Sequence, residues 1–265
     1  MLDCNQNLFI YRQKDYFGVS ISFTNKYSTE VVVVMIFGDS SVYGAWDNNG
    51  GWVNRLREPI DVKNLVDPDI AYFVYNLGIP GNTSVDVLKR FEAEYKERLY
   101  PGVTQETIVI FGFGANDSMV SIAKDTSTVP IREFESSVNR LADLARERTK
   151  KVIFIGPAPV DESKVNPIPW DKGYAYKNAR IKEYDNVIKA VCRKKNIMFF
   201  GLFDELLKLD YKTLLEDGAH FSPAGHMVIY ELVREYLTKN KILNFETPKR
   251  YSHLYKKFKS GRARN

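Results

Sequence analysis

A hydroxyl that attacks a carbonyl needs a base to take its proton and a third group to hold that base in the right tautomer. The 265-residue sequence carries such groups far apart. Ser40 follows Gly38 and Asp39 at the end of an apolar run, VVVVMIFGDSSVYG over Val31–Gly44. Asp217 and His220 lie three residues apart in DGAHFSPAGH. That spacing lets the carboxylate accept from one imidazole nitrogen while the other faces Ser40. Two further segments, NLGIPGNTS (Asn76–Ser84) and FGFGANDS (Phe111–Ser118), each follow a predicted strand. They offer donors for developing negative charge in the Gly81 N–H and the Asn116 amide, and the N–H of Ser40 would complete a three-donor oxyanion hole.

Each piece has a plainer reading. A serine after a strand and Gly-Asp is by default a helix N-cap. Asn116-Asp117 could be a simple turn, and Gly78 and Gly81 could both be turn glycines. Asp39 is read as bracing its turn, and Ser41 as part of the helix that follows. Histidine is scarce, with only His220, His226 and His253. His226 falls in a first helical turn, where an imidazole packs or bonds to backbone, and His253 lies in a basic tail. The scarcity argues against a His-built metal site. No Gly-rich loop is followed by Lys, so nucleotide-phosphate binding has little support.

The elements that must bring these residues together are legible from apolar patterning. Buried strands are expected near 31–37, 71–76, 107–113, 151–156 and 197–201. Helices are expected near 50–58, 84–99, 131–148, 175–195 and 223–239, the last opened by Ser222 as N-cap and Pro223 as first helical residue. Alternating strands and helices predict a five-stranded parallel sheet covered on both faces, a three-layer α/β/α sandwich. Ligands meet such sheets at the carboxyl ends of the strands, where Ser40 would stand.

GDS at 38–40, Gly81 in GIPGNTS, Asn116 in GANDS and DGAH at 217–220 resemble, in order, the four sequence blocks of the SGNH (GDSL) hydrolases. Their spacing is similar to that of the family's small single-domain bacterial members, and the resemblance covers about Val31 to Leu243. It implies a flavodoxin-like strand order 2-1-3-4-5 and an esterase without cofactor or metal. It also implies Ser40 as nucleophile, His220 as base, Asp217 as its orienter, and Gly81 and Asn116 as oxyanion donors. Of the two glycines, only the resemblance singles out Gly81. One position departs: the family usually has Pro after the catalytic His, and here it is Phe221. The family acts on lysophospholipids, acyl thioesters, aryl esters and acetylated sugars. A small-acyl or acetyl ester is expected here, because no long apolar insertion would house a fatty chain. An acyl thioesterase or lysophospholipase is the second reading. A non-catalytic binding protein on the same scaffold is a third, against which the complete set of catalytic side chains speaks.

Three segments stand outside this frame. Residues 1–30 are an N-terminal extension, either a hairpin around the strand-like Phe17–Phe23 or an unstructured leader into the domain at 31–243. Residues 157–178 form a long, proline- and aromatic-rich connection in which Trp170, Tyr174 and Tyr176 would wall the site, or pack on themselves as a surface loop. Trp46 and Trp170, with Tyr174, are the expected substrate-lining residues. The tail at 244–265 is basic: nine Lys or Arg lie beyond Leu237 against the single acid Glu246, leaving the body near neutral. The overall charge of +5 is therefore no sign of a nucleic-acid-binding body. Tyr251, Leu254, Tyr255 and Phe258 recur at helical spacing, so the tail is either a weak anchor for an anionic surface, a docked helix or a solvated strand of charge. The start shows no signal-peptide pattern, and two cysteines, Cys4 and Cys192, give no disulfide framework. These features suit a cytoplasmic protein whose partner is a small-molecule ester.

Overall fold

The computed structural model describes residues 30–66, 70–101 and 103–245. Five parallel strands make its main sheet: β1 (Glu30–Gly38), β2 (Ile70–Gly78), β3 (Gln105–Gly112), β4 (Lys151–Ile155) and β5 (Met198–Phe200). They lie in the order β2-β1-β3-β4-β5, as expected. The helices of interest are α1 (Ser40–Tyr43), α2 (Gly51–Val66), α3 (Ser84–Lys96), α4 (Ile131–Arg146), α5 (Asn178–Lys195) and α6 (Pro223–Lys239).

The unbroken apolar run of β1 follows from burial on both faces. Val33, Met35 and Phe37 pack with Phe91 of α3, Phe134 and Val138 of α4, and Tyr184 and Ile188 of α5. Val32, Val34 and Ile36 point the other way, against Trp52, Leu56 and Ile60 of α2 and Ile229 and Val233 of α6. β3 and β4 divide their residues in the same way, so the sheet is the middle of three layers. Among the described residues no helix is long and apolar enough to cross a membrane.

Two elements differ from the sequence reading. The helix expected to stop before Pro59 continues through it to Val66. Proline costs a main-chain bond there, but Leu56 and Ile60 on either side are fully buried, and that packing outweighs the loss. A three-stranded antiparallel sheet of two-residue strands, Val120–Ser121, Thr126–Ser127 and Tyr174–Ala175, has no counterpart in the reading. Strands that short carry no periodicity to detect. This sheet anchors the 157–178 connection, which also packs Val160, Val165, Ile168 and Tyr176 into a small core with Ile181 and Phe203. The N-terminal extension up to residue 29 and the tail from residue 246 lie outside the described residues.

Candidate active site

The floor of the site is a row of three glycines. Gly38, Gly78 and Gly112 end β1, β2 and β3 side by side in the sheet register. A Cβ on Gly38 would come within 2.1 Å of the Gly112 carbonyl oxygen, and one on Gly78 within 2.2 Å of the Tyr43 backbone nitrogen. Their bareness lets α1 sit directly on the strand ends, with Ser40 as its first residue. Asp39 caps it, its Oδ1 accepting from the Ser41 N–H at 2.9 Å. Asn76 of β2 donates to the Val42 carbonyl at 2.9 Å. Arg90, reaching over from α3, donates to the Gly38 and Leu77 carbonyls and to Asn82 Oδ1 at 3.1, 2.8 and 2.9 Å.

Against this floor the turn after the Tyr211–Leu214 helical segment delivers Asp217 and His220. His220 Nε2 lies 3.1 Å from Ser40 Oγ, and its Nδ1 lies 2.7 Å from Asp217 Oδ2. Asp217 Oδ1 accepts from the backbone N–H groups of Ala219 and His220 at 2.9 and 2.8 Å, and Oδ2 also accepts from the Trp46 indole at 2.8 Å. Burial works to raise the Asp217 pKa, but the hydrogen bonds from the His220 ring and the two backbone donors prevail and hold it well below the carboxylate range. An ionised Asp217 assigns the ring proton to Nδ1, which leaves a lone pair on Nε2 aimed at the serine.

On the opposite side stand the two expected donors. Gly81 has φ of +80°, and nothing lies within 4 Å of a Cβ built on it, so backbone conformation rather than space calls for glycine. Asn116 sits in the short helical turn after β3. Its Nδ2 donates to the Asn82 carbonyl at 3.0 Å, leaving a second amide hydrogen, and its Oδ1 accepts from the Tyr176 hydroxyl at 2.8 Å. Burial, then the charges of Asp39 and Asp217, pushes the Tyr176 pKa upward, so this hydroxyl keeps its proton and remains a donor. Ser40, His220, Gly81 and Asn116 share an open cleft of about 660 Å³ rimmed by Trp46 and Trp170. Behind Ser40 runs a narrow cavity of about 60 Å³ between apolar side chains that include Val42, Phe113, Val160 and Phe221.

Two buried acids underlie the site. Burial raises Asp39 to about 6 despite its bond from Ser41. Asp117, fully buried, accepts from the Ser84 backbone N–H at 2.9 Å and its hydroxyl at 2.6 Å, tying the loop after β3 to the start of α3. Burial, helped by the charge of Asp39, lifts it to about 7. A carboxyl whose pKa is higher folded than unfolded contributes stability that is complete below the unfolded value and is lost as the pH climbs through the folded one, at about 1.4 kcal/mol per unit of displacement. Asp117→Asn keeps an acceptor for Ser84 and cannot ionise. Its melting temperature should therefore gain on wild type as the pH is raised from 4 to 8, and parallel curves would contradict this.

The structure brings Ser40, Asp217, His220, Gly81 and Asn116 together, and Trp46 and Trp170 stand at the rim of the same cleft. Tyr174 does not. It pairs with Ser121 in the small sheet, packs against the Val160–Phe203 cluster and lines neither cavity, because strand pairing fixes it away from the strand ends. Tyr176 occupies the wall instead. The long connection thus combines both readings: it packs on its own core and also lays the Trp170 ring 5.5 Å from that of His220. Phe221, where the family has Pro, is buried and bridges to Leu215, which closes the DGAH turn. His226 is structural, its buried Nε2 lying 3.2 Å from the Ala45 carbonyl oxygen. Arg90 was missed altogether, since a helical arginine with an acid four residues on reads as an ordinary surface pair.

Residues 36–228 match the model of the GDSL-like Lipase/Acylhydrolase family. The chain is 28% identical over 216 residues to the mouse isoamyl acetate-hydrolyzing esterase 1 homolog, covering 74% of this chain and 78% of the relative. It is 25% identical over 178 residues to the acetylxylan esterase of Geobacillus stearothermophilus, covering 64% and 74%. Among solved structures, a lipase/acylhydrolase from Enterococcus faecalis superposes with a TM-score of 0.58 at 24% identity over 78% of this chain and 96% of the other.

Proposed function

The chain belongs to the GDSL-like lipase/acylhydrolase family and is a hydrolase acting on esters, and from that premise we propose that it cleaves small-acyl esters through an acyl-enzyme on Ser40. The observation that carries the reading is the continuous chain from Ser40 Oγ through His220 to an ionised Asp217, at 3.1 and 2.7 Å. Ser40 attacks the ester carbonyl carbon as His220 Nε2 takes the hydroxyl proton. The oxyanion that forms is met by the N–H groups of Ser40 and Gly81 and by the free amide hydrogen of Asn116. His220 then hands its proton to the departing alcohol, which leaves the acyl group on Ser40. Water, deprotonated by the same imidazole, releases the acid and restores the hydroxyl.

Two facts favour a short acyl group. The enclosed space beside Ser40 is about 60 Å³, room for a few water-sized groups and far from enough for a fatty chain. The relatives named above include a homolog of an isoamyl acetate-hydrolyzing esterase and an acetylxylan esterase. The open cleft with its aromatic rim is left for the alcohol portion.

A series of p-nitrophenyl esters from acetyl to palmitoyl tests the acyl side, and an aryl phosphonate tests the nucleophile. Acetyl should give the highest kcat/KM, falling steeply with length, and mass spectrometry should find the phosphonyl group on the peptide containing Ser40. A clear preference for palmitoyl would overturn the small-acyl reading. A label on any other residue would overturn the mechanism.

A further inference from the structure

The segment between α1 and α2 has a costly backbone. Gly44, Trp46, Gly50 and Gly51 all have positive φ, at 92°, 67°, 74° and 74°. Glycine adopts that region freely, but a bulky side chain there is strained and persists only where its surroundings over-determine it. Here they do. Asp47 is buried, accepts from the Asn49 and Gly51 backbone N–H groups at 3.0 and 3.2 Å, and pairs with Arg55 of α2. On the other flank the Ala45 carbonyl oxygen meets the His226 ring.

Burial of the indole does not explain the strain, because Trp46 is 61% exposed. What the conformation achieves is a contact. The indole N–H donates to Asp217 Oδ2 at 2.8 Å, the same oxygen that faces His220 Nδ1. The two rings meet edge to face, with centroids 5.3 Å apart and planes at 76°. Asp217 Oδ1 is already held by two backbone donors, so the indole adds the bond that pins the other end of the carboxylate.

We propose that Trp46 is a positioning residue for catalysis: its indole N–H fixes the Asp217 carboxylate, and through it the aim of His220 Nε2 at Ser40. This rests on reading Ser40, His220 and Asp217 as the reacting groups. Removing the donor frees that end of the carboxylate and leaves the imidazole less well aimed.

Trp46→Phe keeps an aromatic ring at this exposed position and removes the N–H donor. On p-nitrophenyl acetate it should lower kcat by about tenfold with KM little changed. In the Trp170→Phe background, one of the two remaining indole N–H resonances should move upfield when Asp217 is replaced by Asn. The proposal is overturned if Trp46→Phe matches wild type in kcat, if KM rises while kcat holds, or if neither indole resonance moves. Full activity in Ser40→Ala would instead remove the reading beneath it.

Discussion

Ser40→Ala should lower kcat on p-nitrophenyl acetate by at least about 10⁴-fold while leaving the melting temperature close to wild type. The first half follows from what the hydroxyl does: without it no acyl-enzyme forms, and only the oxyanion donors and substrate binding remain to favour attack by water. The second half follows from how Ser40 is held. Its carbonyl accepts from the Gly44 and Ala45 N–H groups, and among the described residues its side chain has a single partner, His220 Nε2. Alanine therefore keeps every main-chain bond of α1 and loses one partly exposed contact. Neighbouring Ser41 is a poor substitute because it sits one residue further into the helix, off the line from His220. Assay of the purified variant beside wild type, with a thermal melt of each, decides the matter. Undiminished hydrolysis would mean that the serine named here is not the nucleophile.

Asp217→Asn should cost about 10⁴-fold in kcat, more than loss of one hydrogen bond would suggest. The reason lies in who faces this side chain. Four donors converge on its two oxygens: the Ala219 and His220 backbone N–H groups on one, the imidazole and the indole on the other. An amide has one oxygen and one NH₂, so wherever its nitrogen goes it opposes two donors. If the nitrogen faces His220, the imidazole must put its proton on Nε2, and the lone pair that would serve Ser40 turns away. If it faces the backbone, the turn that presents His220 is disturbed. Either outcome disables the base without touching the nucleophile or the oxyanion donors. Phosphonate labelling of Ser40 should slow in parallel with turnover. A loss of less than tenfold would show that His220 keeps its tautomer without help from this carboxylate.

The sheet, and the groups proposed to react, were legible in the sequence for a physical reason. A strand buried on both faces must be apolar throughout, so β1 announced itself and placed Ser40 at its end. Asp217 and His220 are three residues apart, and a local pair can be read locally. What stayed hidden were particular contacts that tertiary packing decides. Tyr176 reaches Asn116 across 60 positions, and Trp46 reaches Asp217 across 171. The expectation that Tyr174 would line the site failed because the two-residue strand that places it is specified only by its partners. The run of α2 past Pro59 was hidden for a related reason: a local breaker was outweighed by burial that no local pattern records.

The row of bare glycines under α1 also bears on how such a molecule could be reshaped. The height of Ser40 above the sheet is set by the Tyr43 main chain resting on Gly78 and by the Val42 side chain resting on Gly38 and Gly112. The walls come from segments that hang from different strands, notably 44–51 and 168–176. Reshaping of what the cleft admits can therefore be sought in those walls, with positions 38, 78 and 112 left untouched. Libraries confined to the walls, with Trp46 and Tyr176 kept because they hold Asp217 and Asn116, should yield altered preferences with the reacting atoms still in place, whereas even alanine at position 38 or 78 should displace the serine before any selectivity is gained.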